Sequence, residues 1–277
     1  TGEVTVWNLD ATAVRSLAAL PENSLDVTQE IRAESDTTEE TIEPPLLSPN
    51  GSAATVAAVS PNGKLLAVSG TVEGRPAILV RDLTTGELTA SLTGHLDQIT
   101  SLSFAANNRR LISGSVDQTA RVWDLADAKF PEVISSGGHA ATISGVAFNS
   151  DGSQAATCAA DNSVQLWNTS TGEVLQSFVG HTAAVVGIAI TSSNAEVITA
   201  SADKTVRVWT AADGKIARTI TAPAAISQLA VSRDGTRIAV AQPDSTVQIY
   251  KAADGALVHT LAGHQEAVSM LTFSGDG

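Results

Sequence analysis

A repeat with a period of about 42 residues constrains this chain more than any other feature. Gly-His pairs recur at Gly94-His95, Gly138-His139, Gly180-His181 and Gly263-His264. Three of these histidines are followed 28 residues later by a tryptophan, namely Trp123, Trp167 and Trp209. An aspartate stands six residues before each tryptophan and before Tyr250, and the four are Asp117, Asp161, Asp203 and Asp244. Such a period means that one supersecondary unit stacks repeatedly against its neighbours.

Each repeat contains the pattern of four short strands. In the unit that begins at His139, the strands are predicted over residues 142–148, 154–159, 163–167 and 173–178. Asx and Gly residues between them supply the positive φ angles of tight turns, and the apolar residues alternate along each strand. No segment has helical periodicity over ten residues, and the loops are too short for crossover helices. The sequence therefore predicts an all-β protein.

The Gly-His, Asp and aromatic pattern at this period resembles the WD-repeat family of β-propellers. The resemblance implies four-stranded antiparallel blades around a central channel. Five complete blades are then expected, ending at Arg81, Trp123, Trp167, Trp209 and Tyr250. Partial blades are expected at both ends, with strands over about 3–8, 13–20 and 267–273, so the parent has six or seven blades. The alanine-rich, lysine-poor repeats look like those of bacterial WD-repeat proteins.

The ends of the sequence suggest a piece of a longer chain. It opens within a strand-like run at Val4-Thr5-Val6-Trp7 and closes on a turn at Ser274-Gly275-Asp276-Gly277. We expect three parts: terminal blade strands over 1–20, an acidic insert over 21–50, and the blades over 51–277. The sequence does not indicate a compartment.

The recurring polar residues form a candidate site three times over. A Ser or Thr stands four residues before each Asp, and the sets are His95–Asp117–Ser113–Trp123, His139–Asp161–Thr157–Trp167 and His181–Asp203–Thr199–Trp209. In the resembled family such groups form a hydrogen-bonded chain from the indole N–H to the carboxylate. A catalytic set is normally needed once, in a cleft, so we interpret these as structural networks. Asp244 and His264 occupy matching positions in less complete units.

Two blades provide an internal comparison. In the unit that ends at Tyr250, Ala222 replaces the histidine and Val240 the hydroxyl residue, while Asp244 remains. In the unit that ends at Arg81, Ala53 stands at the histidine position and no Asp precedes Arg81 by six residues. The members disappear together, as expected for one network.

Residues 21–50 are an acidic insert. They contain eight acidic residues and one basic residue, and so carry more than half of the chain's net charge of −13. One alternative is a solvated linker, since such segments tend to be mobile. Another is an acidic arm that meets a basic partner or folds over one rim, and a third is strand pairing of Leu25-Asp26-Val27 with Thr41-Ile42 at a blade edge.

Composition excludes several function classes. An excess of 29 acidic over 16 basic residues disfavours general nucleic-acid binding, which needs cationic surface. No apolar run is long enough for a membrane span. A single cysteine, Cys158, leaves no disulfide framework or multi-cysteine metal site, and burial in an apolar strand is expected for it. No phosphate loop or nucleotide fingerprint is present, so no cofactor is expected.

The function predicted from the resemblance is a non-catalytic protein-interaction scaffold. In that family, partner peptides dock at the rim around the channel mouth, and the matching positions are Leu96, Asp97, Val116, Ala160, Thr182, Ala202, Pro243, Gln265 and Glu266. The alternative is a propeller domain of a larger enzyme or redox protein, with its chemistry outside this segment. A hydrolytic channel is disfavoured because Ser103, Ala147 and Ala189, on the first strands, are too small to act as acid or base.

Overall fold

The computed structural model describes residues 56–125 and 138–273, together with the backbone of three short strands, Val4–Val6, Arg15–Leu17 and Ile134–Ser136. All regular elements in these ranges are β-strands, which we number β1 to β22 in chain order. The predicted insert at 21–50 lies outside the described residues. The described part of the chain contains no helix with the length and hydropathy needed to cross a bilayer.

Twenty of the strands form five four-stranded antiparallel sheets, which we call blades I to V. Blade I consists of β3 (Ala57–Val59), β4 (Leu65–Val72), β5 (Arg75–Asp82) and β6 (Leu88–Thr93). Blade II consists of β7 (Ile99–Phe104), β8 (Arg110–Ser115), β9 (Ala120–Asp124) and β10 (Ile134–Ser136). Blade III consists of β11 (Ile143–Phe148), β12 (Gln154–Ala159), β13 (Val164–Asn168) and β14 (Val174–Phe178).

The last two blades have the same strand order. Blade IV consists of β15 (Val185–Ile190), β16 (Glu196–Ser201), β17 (Thr205–Thr210) and β18 (Ile216–Thr221). Blade V consists of β19 (Gln228–Val231), β20 (Arg237–Ala241), β21 (Val247–Lys251) and β22 (Leu257–Leu261). The N-terminal strands β1 (Val4–Val6) and β2 (Arg15–Leu17) pair antiparallel with each other. The all-β architecture and the five complete blades are confirmed.

The first strands of successive blades pack against each other, β3 against β7, β7 against β11, β11 against β15 and β15 against β19. This order is that of blades arranged side by side around an axis. The apolar clusters lie between blades, and each aromatic residue near the end of a third strand packs on the preceding blade. Trp123 thus shares a cluster with Ile78 and Val80 of blade I, and Trp209 shares one with Phe178 of blade III.

One predicted strand is not formed. Residues 267–273 were expected to be the first strand of a further blade, but within the described residues they have no ladder partner. These residues nevertheless pack on blade V. Val268 is buried with Ala241 and Val247, and Leu271 and Phe273 pack on the same cluster. The alternating apolar pattern therefore predicted the packing and not the hydrogen bonding.

The antiparallel order places two kinds of connection at opposite ends of the strands. The turns between second and third strands share one end with the Gly-His connections between blades, and we call this end the histidine face. The turns between first and second strands and between third and fourth strands lie at the other end, which we call the opposite face. The Gly-His pairs, the aspartates and the rim positions belong to the histidine face, whereas the tryptophans lie near the far ends of the third strands.

Candidate functional site: the repeated polar tetrads

The tetrad of blade II is a continuous hydrogen-bonded chain. Trp123 Nε1 donates to Ser113 Oγ at 2.8 Å, and Ser113 Oγ lies 2.7 Å from His95 Nε2. His95 Nδ1 lies 2.8 Å from Asp117 Oδ2. The indole can only donate, so the hydroxyl gives its proton to Nε2 and the imidazole donates from Nδ1 to the carboxylate. The neighbouring groups therefore determine the histidine tautomer.

Blade IV repeats the chain at the same distances. Trp209 Nε1 donates to Thr199 Oγ1 at 2.8 Å, and that hydroxyl lies 2.7 Å from His181 Nε2. His181 Nδ1 lies 2.8 Å from Asp203 Oδ2. The imidazole and indole rings meet edge to face with centroids 5.9 Å apart. Arg207 adds a cation–π contact, with its guanidinium carbon 5.7 Å from the centre of the Trp209 ring.

Blade III differs from the expected pattern at both ends of the chain. Trp167 Nε1 is buried and has no hydrogen-bond partner among the described residues. His139 Nε2 contacts Thr157 Oγ1 at 2.7 Å, but His139 Nδ1 contacts Ser163 Oγ at 2.6 Å, while Asp161 is 3.8 Å away. Asp161 joins the chain only through Ser163, whose hydroxyl donates to Asp161 Oδ1. The expected direct chain is therefore interrupted here.

Each aspartate also binds the backbone of the rim. Asp117 Oδ2 accepts the N–H of Leu96 at 2.9 Å, and Asp203 Oδ2 accepts the N–H of Thr182 at 3.1 Å. Asp161 Oδ2 accepts the N–H of Ala140 in the same way. These three N–H groups belong to the residues that directly follow the histidines. The carboxylates therefore tie the Gly-His connection to the turn that carries the Asp.

Hydroxyl residues next to the aspartates also belong to the site, although the expected tetrads did not include them. Two residues after each Asp, a hydroxyl donates to the carboxylate, and these residues are Thr119, Ser163, Thr205 and Thr246. Two residues before the Asp, Ser115 and Ser201 donate to the carbonyls of Asp97 and Ala183 and accept the N–H of Asp117 and Asp203. Because these residues recur at fixed offsets from the Asp, the sequence alone could have identified them as part of the site. In blade III the position is Ala159, which cannot make these bonds.

Burial and hydrogen bonding determine the charge states. Burial lowers the pKa of His95, His139 and His181, although the neighbouring carboxylates raise it in part. Burial would raise the pKa of Asp117, but the hydroxyl of Thr119, the N–H of Leu96 and the imidazole of His95 together lower it to about 2. Asp203 reaches a pKa of about 2 for the same reasons. The tetrads therefore contain neutral imidazoles and ionised carboxylates at neutral pH.

The less complete units lack this chain. In blade V, Asp244 accepts the N–H and the hydroxyl of Thr246 at 3.0 and 2.6 Å, while the hydroxyl of Tyr250 donates to Gln248. His264 is half-buried at its repeat position and belongs to none of the three tetrads. In blade I, a long hairpin turns at Glu73 and Gly74, which both have positive φ.

The tetrads have little access to a reacting molecule. The three histidines are between 4% and 7% exposed, and both nitrogens of each ring are within hydrogen-bond distance of protein groups. The first strands β3, β7, β11, β15 and β19 contain no ionisable side chain. Among the described residues, no cluster of three His, Cys, Asp or Glu side chains could hold a metal ion. Cys158 is fully buried, as predicted, and burial raises the pKa of its thiol to about 12.

The rim positions surround this site on the histidine face. Seven of the nine are exposed: Leu96, Asp97, Ala160, Thr182, Pro243, Gln265 and Glu266. Val116 and Ala202 are half-buried, and their N–H groups donate to the carbonyls of Gln98 and Ala184 at 2.9 Å. Leu96 is a large apolar side chain on this rim and is 86% exposed.

Known protein families match the same segments. Residues 86–124 and 131–168 match the WD domain, G-beta repeat family, and residues 188–276 match the WD40 domain of anaphase-promoting complex subunit 4. The chain carries WD40 repeats. The crystal structure of the computationally designed Ika8 protein is similar, with a TM-score of 0.67 and 26% identity over 81% of this chain and 66% of that one.

Curated relatives share shorter stretches of these WD40 repeats. A periodic tryptophan protein 2 homolog of Neurospora crassa is 33% identical over 42% of this chain and 12% of its own length. WD repeat and SOCS box-containing protein 1 of Homo sapiens is 36% identical over 38% of this chain and 24% of its own length. A guanine nucleotide-binding protein subunit beta of Solanum tuberosum is 32% identical over 39% and 30%. The match thus spans less than a third of each relative, and all three organisms are eukaryotes, so the expected bacterial character has no support.

Proposed function

We propose that this chain is a non-catalytic protein-binding module whose partner contacts the rim of the histidine face. The observation that carries the proposal is the pair of bonds that Asp117 and Asp203 each make, one with their His and one with the N–H of the rim residue that follows that His. These bonds hold the exposed rim on a rigid support, which reduces the ordering entropy that binding costs. The WD40 relatives support an interaction role over a catalytic one.

The buried state of the tetrads also favours this function. A general base must reach the proton that it removes, but these imidazoles are enclosed and already bonded on both sides. The side chains of Ser103, Ala147 and Ala189 lie on the first strands and offer no acid or base. This geometry suits a structural role of the tetrads better than a catalytic one.

The rim proposal is tested with two substitutions of the same chemistry. Leu96→Glu places a charge on the rim, whereas Leu257→Glu places one on outer strand β22, where the leucine is 52% exposed. We expect a partner captured and cross-linked by the wild-type chain to be lost with Leu96→Glu and retained with Leu257→Glu. Retention by both variants, with cross-links elsewhere, would contradict the rim as the binding surface.

We also propose that the acidic residues of 21–50 favour a partner of a particular charge. Their charge of −7 favours a basic protein surface. Replacing Glu39 and Glu40 by Gln should weaken capture of such a partner and reduce the salt dependence of that capture. The effects of Leu96→Glu and Leu257→Glu should stay the same. A capture that is insensitive to both salt and these substitutions would favour the solvated-linker alternative.

A further inference from the structure

The last residue of the third strand in blade V lacks a role that its counterparts in blades I and III have. In blade I, Asp82 Oδ1 accepts the N–H groups of Thr84 and Thr85 at 2.7 and 3.1 Å. In blade III, Asn168 Oδ1 accepts those of Ser170 and Thr171 at 2.8 and 3.2 Å. These bonds close the turn that follows on the opposite face. Blade V has Lys251 at this position, and a lysine side chain has no acceptor.

The residue opposite Lys251 is also a cation. Arg237 is paired with Lys251 in the register of β20 and β21, so both side chains stand on the same side of the sheet. In blade II the matching pair is Arg110 and Asp124, of opposite charge. Like charges directly opposite destabilise a sheet. The turn after β21 is closed instead by Asp254, whose Oδ1 accepts the N–H of Ala256 at 3.0 Å. The cost of Lys251 to blade V is therefore the repulsion of Arg237.

A third cation, Arg233, is exposed in the turn before β20. Asp234 beside it is already engaged: Oδ1 accepts the hydroxyl of Ser232 at 2.6 Å and Oδ2 that of Thr236 at 2.8 Å. These bonds and the N–H of Thr236 lower the pKa of Asp234 to about 2. Asp234 is therefore ionised and bonded within its own turn, and among the described residues it forms no ion pair with Arg233.

Three other cations on the opposite face have carboxylate partners within their own blade. Arg218 pairs with Glu196 at 2.8 Å, Lys215 with Asp213 at 2.8 Å, and Arg109 with Asp124 at 3.0 Å. Within the part of the chain that the structure describes, no ion pair includes Arg233, Arg237 or Lys251. Three cations without an ion pair thus lie on blade V, and two of them, Arg237 and Lys251, stand directly opposite each other.

We propose that Arg233, Arg237 and Lys251 form a binding surface for an acidic peptide of a partner protein. A local choice that lowers stability points to a functional site when nothing within the fold compensates it. Carboxylates of an extended peptide would relieve the repulsion between Arg237 and Lys251 and use all three cations. The surface lies on the opposite face and does not depend on the proposed rim.

Arg237 stands at a position that makes a contact between blades in blade II, so Lys251 is the better position for a test. Arg110, its counterpart in blade II, donates to Thr169 Oγ1 of the next blade at 2.9 Å. No described counterpart of Lys251 makes such a bond between blades. The substitution Lys251→Asp restores the residue type of blades I and II and reverses the charge at this position.

The test is the binding of a fluorescein-labelled hexaglutamate peptide to the full chain, followed by fluorescence anisotropy at low and high salt. We expect salt-sensitive binding that Lys251→Asp weakens at least about fivefold, while the same substitution raises Tm by about 2–4 °C. Arg75→Asp is the matched control. It changes the net charge equally on an exposed hairpin at the histidine face, and it should leave binding unchanged.

Three outcomes would overturn the proposal. One is the absence of hexaglutamate binding, and a second is an equal loss with Arg75→Asp, which would indicate a non-specific charge effect. The third concerns the chain's own acidic residues. If changing Asp36, Glu39 and Glu40 to their amides tightened hexaglutamate binding as much as Lys251→Asp weakens it, the occupant would be residues 21–50 and not a partner. The rim variant Leu96→Glu should bind hexaglutamate normally, so this result is independent of the proposed function.

Discussion

At the scale of single residues, the tetrads show how direction is built into a hydrogen-bonded chain. The indole donates to a hydroxyl, the hydroxyl to Nε2, and Nδ1 to a carboxylate, so that each group has one role. Buried polar groups are costly when unpaired, and such a chain satisfies them all at once. Blade III is the exception, because the N–H of Trp167 has no acceptor among the described residues.

This exception predicts different costs for one substitution at two sites. Trp209→Phe removes the bond to Thr199, whereas Trp167→Phe removes an N–H that has no described partner. We expect Trp209→Phe to lower the free energy of unfolding by about 1 kcal/mol more than Trp167→Phe does, measured by urea denaturation. Both variants lose similar apolar area, so each controls for the other. Equal costs, or a greater cost at Trp167, would contradict the described geometry.

The sequence predicted which residues would meet, but not every bond among them. A spacing of 22 residues between His and Asp brings the two together in blades II and IV. In blade III the same spacing leaves Asp161 at 3.8 Å, because the hydroxyl of Ser163 is closer to the imidazole. Spacing determines the position along the strands, while side-chain rotation decides between two acceptors a few ångströms apart. That choice depends on packing, which the repeat does not encode.

At the scale of strands, the seams between blades depend on glycines in the first strands. A Cβ at Gly187 of β15 would lie 2.6 Å from Leu229 Cβ in blade V, and one at Gly145 of β11 would lie 3.3 Å from Ile188 Cγ2 in blade IV. A Cβ atom cannot rotate away from such a contact. Hydroxyls add to the same seams, since Thr100 and Ser144 donate to carbonyls of Ile143 and Val185 in the next blade.

A matched pair of glycine substitutions tests this seam. Gly187→Ala places its methyl group 2.6 Å from the anchored Leu229 Cβ, whereas Gly138→Ala places it 2.6 Å from the flexible end of Gln165. We expect Gly187→Ala to lower the free energy of unfolding by about 1–3 kcal/mol, and Gly138→Ala to have a much smaller effect. Thermal unfolding of both variants is the measurement. A tolerated Gly187→Ala would mean that the blades are not in close contact at β15.

Strand positions were well predicted because alternation and turn chemistry are local. In blade III, the predicted 142–148 and 163–167 correspond to Ile143–Phe148 and Val164–Asn168. The strand at 267–273 was predicted by the same rule and is absent from the described ladders. A strand needs a hydrogen-bonded neighbour as well as an apolar face, and alternation reports only the face. The packing of Val268 on blade V explains why the pattern is there.

At the scale of the whole molecule, the three buried histidines make stability depend on pH. Burial lowers their pKa in the folded chain below the usual 6.5, so the unfolded chain binds protons first as pH falls. The free energy of unfolding therefore declines below about pH 6.5. A second decline begins below about pH 4, because Asp117 and Asp203 have pKa values of about 2 when folded.

The comparison of wild type with His181→Gln isolates this effect. Lowering the pH also reduces the repulsion that a net charge of −13 causes, and this acts in the opposite direction in both proteins. We expect Tm to fall more, or to rise less, between pH 7.5 and 5.5 in the wild type than in His181→Gln. An identical change in the two proteins would show that protonation of this histidine is not linked to folding.

The central claim is that the tetrads brace the rim of the histidine face. The most direct measurement is the hydrogen exchange of the Thr182 amide, which donates to Asp203. In the wild type this amide should be protected. In Asp203→Ala it should exchange faster, along with the Gly-His connection before it, while the amides of β7 and β8 in blade II keep their protection. Unchanged protection of Thr182 in Asp203→Ala would contradict the claim.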